Sequence, residues 1–287
     1  PGGAPANVLT AAARFGRMTA FLGKVGDDMH GQFLRQTLLD AGIDVSGLVM
    51  APDVFTTLAF VALNENGERS FSFARKPGAD TCLRPEELNA AVLDSCRVLH
   101  VGSLSLTDEP ARSATFAAVE RAKAAGAVIS YDPNYRAALW PDAETAARHM
   151  RSMAPYVDVM KLSDEETALL TDESDPAAAA AVLLAQGVKC AAVTLGAEGA
   201  LVATASGMRH VPGFAVNAVD TTGAGDAFWG GFLHRMLALD KAPEQLTIDE
   251  AAECGRWGCA TAAVCITRRG AIPAMPSLAE AEALLAE

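Results

Sequence analysis

The stretch "DTTGAGDAFWGG" at residues 220–231 joins a glycine-containing loop to an apolar run. Gly223 and Gly225 let the backbone come close to a ligand. The residues that follow have the three- and four-residue spacing of one helix face: Phe228, Phe232, Leu233 and Met236. The pattern predicts a glycine loop that leads into a helix N-terminus, where unpaired N–H groups and the helix dipole attract an anion.

Asp226 lies in the first turn of this predicted helix and has two interpretations. An acidic residue at that place can simply compensate the helix dipole, which contributes about 0.3–1 kcal/mol. It can also act as a general base beside the bound anion. Composition alone leaves both open.

The rest of the chain alternates short apolar runs with helical segments, which is typical of a parallel sheet between layers of helices. A helix is predicted over 109–126, where Gly126 follows the last periodic residue. The candidate strands are "TAFLGKVG" (19–26), "RVLHVGS" (97–103), "AVISYDP" (127–133), "VDVMKLS" (157–163) and "CAAVTLG" (190–196). The predicted fold class is therefore α/β.

The segment 56–76 interrupts this alternation. Two alternating strands flank "NENGE", in which Asn66-Gly67 is a strong signal for a hairpin turn. Such a hairpin is either a lid or dimer clasp or an edge hairpin of the main sheet, and the pattern does not decide between them.

Composition and net charge exclude some classes of binding partner. The 287 residues are 51% hydrophobic, which is ample for a buried core, and carry a net charge of -12. A nucleic-acid or anionic-membrane surface needs clustered Lys and Arg, so small molecules are the expected partners. Apolar runs such as "AAAAAVLLA" at 177–185 are shorter than the roughly 20 residues that cross a bilayer.

The six cysteines show no CxxC pair and no histidine at metal-ligand spacing: Cys82, Cys96, Cys190, Cys254, Cys259 and Cys265. We expect reduced thiols rather than disulfides or a zinc site. The chain starts at Pro1 with no apolar signal segment, so a cytoplasmic location is expected.

Several common motifs are missing. The pair Gly23-Lys24 is followed by Val25, which excludes the GxxxxGK[ST] loop of P-loop NTPases. The dinucleotide fingerprint GxGxxG fails at Phe228, and neither GxSxG nor HExxH occurs. These absences disfavour dinucleotide oxidoreductases, serine hydrolases and metalloproteases.

Two further stretches carry candidate binding residues. In "PGGAPAN" (1–7), Asn7 offers a donor and an acceptor to a hydroxylated ligand, although a turn before a helix explains the glycines equally well. "DPNYR" (132–136) follows a predicted strand end, where ligands collect in open α/β sheets. Arg136 there is either a bidentate phosphate clamp or a solvated loop charge.

Taken together, "GGAPAN…GKVGDDMHG" (2–31) and "DTTGAGDAFWGG" resemble the two signatures of the ribokinase/fructokinase-like, or PfkB-type, carbohydrate kinases, and bacterial fructokinases most of all. The resemblance implies a ribokinase-like three-layer α/β/α sandwich with a mainly parallel central sheet and a small β lid. It places the main domain at 1–45 and 76–287 and the lid at 46–75. A family N-terminal strand, part of the lid and a sugar-binding aspartate would precede Pro1.

The resemblance also implies roles for individual residues. Asp226 would be the catalytic base that takes the proton of the sugar's primary hydroxyl. The backbone around it would form the anion hole: Gly223, Ala224 and Gly225. Substrate contacts would come from Gly2, Gly3, Asn7 and the lid-side Arg75.

ATP, Mg²⁺ and, in many members, K⁺ are the implied cofactors. The residues matching ATP and phosphate positions are Arg136, Lys161, Ser163, Glu166, Thr194, Gly196, Gly199 and Cys259. Glu166 would organise Mg²⁺ indirectly, and Ser163 replaces the family's usual Asn. A monovalent-cation site, built mostly from backbone carbonyls, would use Asp220, Thr222, Cys265, Arg268, Gly270 and Ala274.

The expected reaction is phosphorylation of fructose to fructose 6-phosphate by a homodimer that pairs through its lid. Aminoimidazole riboside, or another nucleoside or sugar acid, is the alternative substrate. A catalytically silent sugar or nucleoside sensor is the alternative from another class, and the intact Asp226 argues against it.

Overall fold

The computed structural model describes residues 1–63 and 69–287. Its strands are β1 (Ala20–Gly26), β2 (Asp44–Ala51), β3 (Leu58–Leu63), β4 (Arg69–Ala74), β5 (Val98–Gly102), β6 (Val128–Asp132), β7 (Val159–Ser163), β8 (Cys190–Thr194), β9 (Ala200–Thr204) and β10 (Gly207–Val211). Its helices are α1 (Ala4–Arg14), α2 (Met29–Asp40), α3 (Ala90–Ser95), α4 (Ala111–Ala124), α5 (Ala143–Met153), α6 (Thr167–Thr171), α7 (Pro176–Ala185), α8 (Ala224–Ala238), α9 (Ile248–Ile266) and α10 (Leu278–Leu285).

The central sheet has six strands in the order β10-β9-β8-β7-β6-β5. Strands β5 to β8 run parallel, while β9 and β10 are antiparallel to their neighbours. This confirms the predicted α/β fold with a mainly parallel sheet. The hairpin β9–β10 was not predicted, because β10 is exposed over most of its length and lacks an apolar run.

Helices cover both faces of this sheet, and side-chain alternation along the strands decides which core each residue enters. Val159 packs with Trp229 and Phe232 of α8. Its neighbour Met160 packs in the opposite core, with Met150 of α5. By the same alternation, the polar residues Ser130, Asp132 and Lys161 share the face that α8 covers. In the part of the chain described here, no helix is long and apolar enough to cross a membrane.

Strand β1 departs from the prediction. The segment 19–26 was expected in the main sheet, but β1 pairs in parallel with β2 and forms a separate two-stranded sheet. The two strands are joined by α2, as parallel neighbours require a crossover connection. Strand β2 was missed because Ser46-Gly47 interrupts its apolar alternation.

Strands β3 and β4 form an antiparallel hairpin, with Leu58 opposite Ala74. They make a two-stranded sheet of their own rather than an edge of the six-stranded sheet. The predicted turn Asn66-Gly67 lies outside the described residues. The boundaries of the lid, 46–75, stay a prediction.

Small residues let three helices of one layer approach closely. A Cβ at Gly230 would lie 2.6 Å from Cβ of Ala11 in α1, and one at Gly231 would overlap Oγ1 of Thr261 in α9. The "GG" at 230–231 is therefore a packing feature that seats α8 between α1 and α9, and Trp229 and Phe232 fill the space against the sheet.

Candidate active site

Asp226 is the centre of the candidate site. It lies in the first turn of α8 and is 8% exposed. Gly223 precedes the helix in the left-handed conformation, with φ of 79°, which favours glycine. Nδ2 of Asn7, in α1, donates a 2.7 Å hydrogen bond to Oδ2 of Asp226. The two glycine blocks at opposite ends of the chain thus meet at one carboxylate.

Burial raises the pKa of Asp226 to about 6, and the negative charge of Asp132 adds to this shift. The hydrogen bond from Asn7 and the charges of Lys161 and Arg136 act in the opposite direction. A carboxyl group with this pKa is mostly ionised at neutral pH, yet holds a proton far better than an ordinary aspartate. These are the properties of a general base.

Lys161 and Asp132 form a buried ion pair beneath the same helix turn. Nζ lies 2.8 Å from Oδ2 of Asp132, and the two side chains are 6% and 2% exposed. Burial alone would lower the pKa of Lys161, but the carboxylates of Asp132, Glu166 and Asp226 hold it above its usual value. A Cβ at Gly225 would lie 3.1 Å from Nζ, so the ammonium contacts the start of α8.

Glu166 is fixed by three donors. The N–H of Tyr135 donates to Oε1 (2.6 Å), while the N–H and hydroxyl of Ser163 both donate to Oε2 (2.8 and 2.9 Å). The serine that replaces the family's Asn therefore orients the carboxylate. Arg136 is the next residue of this loop. Its side chain is exposed and donates to the carbonyl of Tyr135.

The predicted nucleotide segment follows β8. Oγ1 of Thr194 donates to the carbonyl of Leu162 on the neighbouring strand (3.2 Å). Gly196 and Gly199 have φ values of 58° and 101° and shape a tight turn before β9. The turn brings backbone to the carboxyl end of β8, next to the end of β7 that carries Ser163.

The two segments of the predicted monovalent-cation site lie together. The N–H groups of Val219 and Asp220 both donate to the carbonyl of Ile266 (2.8 and 3.1 Å). Oδ1 of Asp220 accepts from the N–H of Thr222, and Oδ2 accepts from the N–H of Gly270, each at 2.9 Å. Next to these, Cys265 and Ala274 are buried, and Arg268 pairs with Glu280.

Three predicted substrate residues have mainly structural contacts. Gly3 precedes α1, and its carbonyl accepts from the N–H of Asn7 at 2.9 Å. Gly2 lies beside Oδ1 of Asn7. Arg75 is 6% exposed at its side chain and is joined to Asp80, to Oγ1 of Thr107 and to the carbonyl of Leu104.

Cys259, predicted at the nucleotide, lies in the apolar core between α9 and the sheet. Burial raises the pKa of its thiol to about 12, so it stays a neutral, apolar group. Its placement shows packing only, and its nucleotide role stays a prediction.

Asp132 was missed by the sequence reasoning, although "DPNYR" was recognised for Arg136. The available signal was its position at the end of a strand that alternation places on the α8 face. Its importance depends on the pair with Lys161, which comes from a different strand.

Comparison with known proteins identifies the family of the chain. Residues 1–278 match the pfkB family carbohydrate kinase, and the chain belongs to that family. The chain is 44% identical over 293 residues to fructokinase-2 of Solanum habrochaites, covering 99% of this chain and 87% of that relative.

Two solved structures are also similar. A fructokinase from Vibrio cholerae O395 with fructose, ADP and calcium ion bound has a TM-score of 0.90 at 38% identity, covering 99% of this chain and 91% of that one. An aminoimidazole riboside kinase from Salmonella enterica, complexed with aminoimidazole riboside and an ATP analogue, has a TM-score of 0.85 at 33% identity, covering 99% and 92%. The three-layer ribokinase-like fold is thereby confirmed.

Proposed function

We propose that this protein transfers the γ-phosphoryl group of ATP to the 6-hydroxyl of fructose. The observation that carries the proposal is the buried Asp226 at the N-terminus of α8, with its pKa raised to about 6 and a lysine ammonium beside it. The names of the fructokinases among its relatives support fructose as the acceptor.

In the proposed reaction, the 6-oxygen of the sugar attacks the γ-phosphorus as its proton passes to Asp226. The bond from that phosphorus to the β,γ-bridging oxygen breaks, and ADP leaves. The start of α8 and the Lys161 ammonium would neutralise the oxygens of the transferring group, which is the main requirement of phosphoryl transfer. Asp226 has one oxygen held by Asn7, which leaves Oδ1 for the sugar hydroxyl.

Asn7 also supplies a candidate sugar contact. Its Oδ1 atom is buried and accepts no hydrogen bond from the described part of the chain. A buried amide oxygen without a donor is unfavourable, so a substrate hydroxyl would stabilise it. The guanidinium of Arg75 is bonded to Asp80, Thr107 and the carbonyl of Leu104, so a sugar contact would have to use its remaining N–H donors or replace one of these bonds.

The residues present fit the proposed metal ions. Among the described residues, no group of three or more His, Cys, Asp or Glu could hold a metal ion. Mg²⁺ is commonly held by phosphates, water and one or two carboxylates, and Glu166 would organise it indirectly. The Mg²⁺ would neutralise phosphate charge. K⁺ would bind at carbonyls of the joined segments 219–222 and 265–274.

We also propose a homodimer that pairs through the hairpin, in the cytoplasm. Phe55 and Phe60 are 80% and 57% exposed, which gives the hairpin region an apolar surface. The six cysteines are free thiols, as a reducing compartment would keep them.

Initial rates at equal concentration of fructose, ribose, 2-keto-3-deoxygluconate and aminoimidazole riboside test the function. We expect the largest kcat/KM for fructose. A preference for the riboside would instead favour the specificity of the Salmonella enterica relative. Binding of one of the four compounds, with no conversion of ATP to ADP in the presence of any of them, would favour the sensor.

A further inference from the structure

We infer that Asp132 is a positioning residue for phosphoryl transfer, which holds the Lys161 ammonium against the Gly225 turn and shapes the loop that orients Glu166. The inference rests on the proposed function. Asp132 lies between Lys161 and the loop that holds Glu166, the two residues with proposed phosphate and Mg²⁺ roles.

Strand pairing brings Asp132 and Lys161 together. Strands β6 and β7 are parallel neighbours, with Tyr131 opposite Met160, so the next residue of each strand lies on the α8 face. Oδ2 of Asp132 accepts from Nζ of Lys161 at 2.8 Å. Because both side chains are almost fully buried, this bond is shielded from water and from salt.

The ammonium has donors to spare. An ammonium carries three N–H bonds, and Asp132 is its one hydrogen-bond acceptor in the part of the chain described. A Cβ at Gly225 would lie 3.1 Å from Nζ and 3.2 Å from Cε. The remaining donors are therefore held beside the first turn of α8, where the proposed anion hole lies.

The other oxygen of Asp132 controls the loop after β6. Oδ1 accepts from the N–H of Asn134 at 3.1 Å, and Asn134 adopts the left-handed conformation with φ of 48°. This conformation presents the N–H of Tyr135 to Glu166. One carboxylate thus fixes both the cation beside the helix and the loop that holds Glu166.

Replacing Asp132 should also change the acid–base behaviour of Asp226. Two charged groups face Asp226 from the strands: Asp132 of β6 and Lys161 of β7. The other groups that face it are Asn7 of α1, Arg136 of the loop after β6 and the thiol of Cys265 in α9. Burial raises the pKa of Cys265 to about 11, so this thiol is neutral at the pH of interest. Asp132→Asn removes a negative charge and the ion-pair partner of Lys161. With less negative charge around both groups, the pKa of Asp226 should fall.

The test compares kcat, KM, the pH profile of kcat/KM and Tm for the wild type and four variants. For Asp132→Asn we expect kcat to fall about tenfold or more and KM for fructose to stay within about twofold. The acid limb, which is the fall of kcat/KM toward low pH, should move below pH 6. Lys161→Met should move the limb upward. Asp132→Glu should keep the limb near that of the wild type while kcat stays low, because the charge remains but its position changes.

Asp94→Asn is the matched control, because Asp94 is also paired with a basic side chain, Arg121, but on the exposed surface. It should change neither kcat nor the limb. A wild-type kcat and limb in folded Asp132→Asn, with only Tm lowered, would overturn the inference. If that variant does not fold, wild-type kcat in Asp132→Glu together with an unmoved limb in Lys161→Met would overturn it.

A measurement that does not depend on activity distinguishes failure of this inference from failure of the proposed function. If the wild type phosphorylates no sugar, the titration of the Asp226 carboxyl can still be followed by NMR of protein labelled with ¹³C at the aspartate carboxyls and assigned with Asp226→Asn. A lower midpoint in Asp132→Asn, or a higher one in Lys161→Met, supports the arrangement. Unchanged midpoints overturn it.

Discussion

Nδ2 of Asn7 donates a 2.7 Å hydrogen bond to Oδ2 of Asp226, although 219 positions of sequence separate the two residues. The contact exists because α1 and α8 pack against each other at Gly230, where no side chain intervenes. It orients the carboxylate and leaves Oδ1 free of the amide. The bond therefore links the start of the chain to the acid–base properties of the proposed base.

Asn7→Asp tests this link. The new carboxylate would lie within hydrogen-bond distance of Asp226, and like charges at that distance raise the pKa of the pair. The acid limb of kcat/KM should therefore move above its wild-type position near pH 6. Asn7→Ser is the neutral control that also loses the amide donor, and its limb should rise less than that of Asn7→Asp. Equal limbs in Asn7→Asp and Asn7→Ser would contradict the prediction.

Asp226→Asn should stabilise the protein at neutral pH. The pKa of Asp226 rises from the ordinary 3.8 to about 6 on folding. Its contribution to stability is complete below pH 3.8 and is lost as the pH rises through about 6. The neutral amide avoids this loss of about 3 kcal/mol, at roughly 1.4 kcal/mol per pKa unit.

Chemical unfolding of both proteins at several pH values measures this effect. The free energy of unfolding of Asp226→Asn relative to wild type should increase between pH 4 and pH 7 and then level off. A difference that does not vary with pH would show that folding does not raise the pKa of this carboxyl.

Gly223→Ala and Gly225→Ala should separate folding from catalysis. Gly223 has φ of 79°, and a Cβ there would lie 2.9 Å from Cβ of Ala271, so the alanine should lower Tm. At Gly225 the Cβ would meet only the end of the ion-paired Lys161 side chain, 3.1 Å from Nζ and 3.2 Å from Cε. There we expect Tm to change little and kcat to fall about tenfold as the ammonium is displaced. Thermal unfolding and steady-state rates distinguish the two, and a large loss of Tm in Gly225→Ala would contradict the assignment.

Trp229→Phe should cost stability without affecting chemistry. Nε1 of the fully buried Trp229 donates to Oγ of Ser130 (2.8 Å), which also lies 3.0 Å from Nδ1 of His100. Losing the indole donor removes one buried hydrogen bond, for which we expect about 1–2 kcal/mol. Urea unfolding measures this, and kcat should stay within about twofold of wild type. A loss of kcat with unchanged stability would mean that Trp229 acts on the site directly.

The sequence predicts the fold where local pattern and tertiary structure agree. The helix at 109–126 corresponds to α4, and four candidate strands became β5 to β8 because compact apolar runs suit a sheet buried on both faces. The pairing of β1 with β2 could not be predicted, because an apolar run indicates a strand but not the neighbouring strand with which it pairs. The exposed β10 has too little apolar pattern to be recognised.

The candidate site was predictable only in part, and for a physical reason. Gly223, Gly225 and Asp226 lie within one motif, so their relation to the helix start is local. The pair of Asp132 and Lys161 joins two strands, and Asn7 reaches Asp226 from the other end of the chain. Composition alone left Asp226 open as a helix-dipole residue, and its burial beside charged groups is a property of the folded chain.

The most direct measurement is the rate of fructose 6-phosphate formation by wild type and Asp226→Asn between pH 5 and pH 8. The wild type should show an acid limb near pH 6. Asp226→Asn should be slower by at least about a hundredfold at pH 8 and should lack that limb. Turnover by folded Asp226→Asn at the wild-type rate, with the same limb, would contradict the assignment of Asp226 as the base.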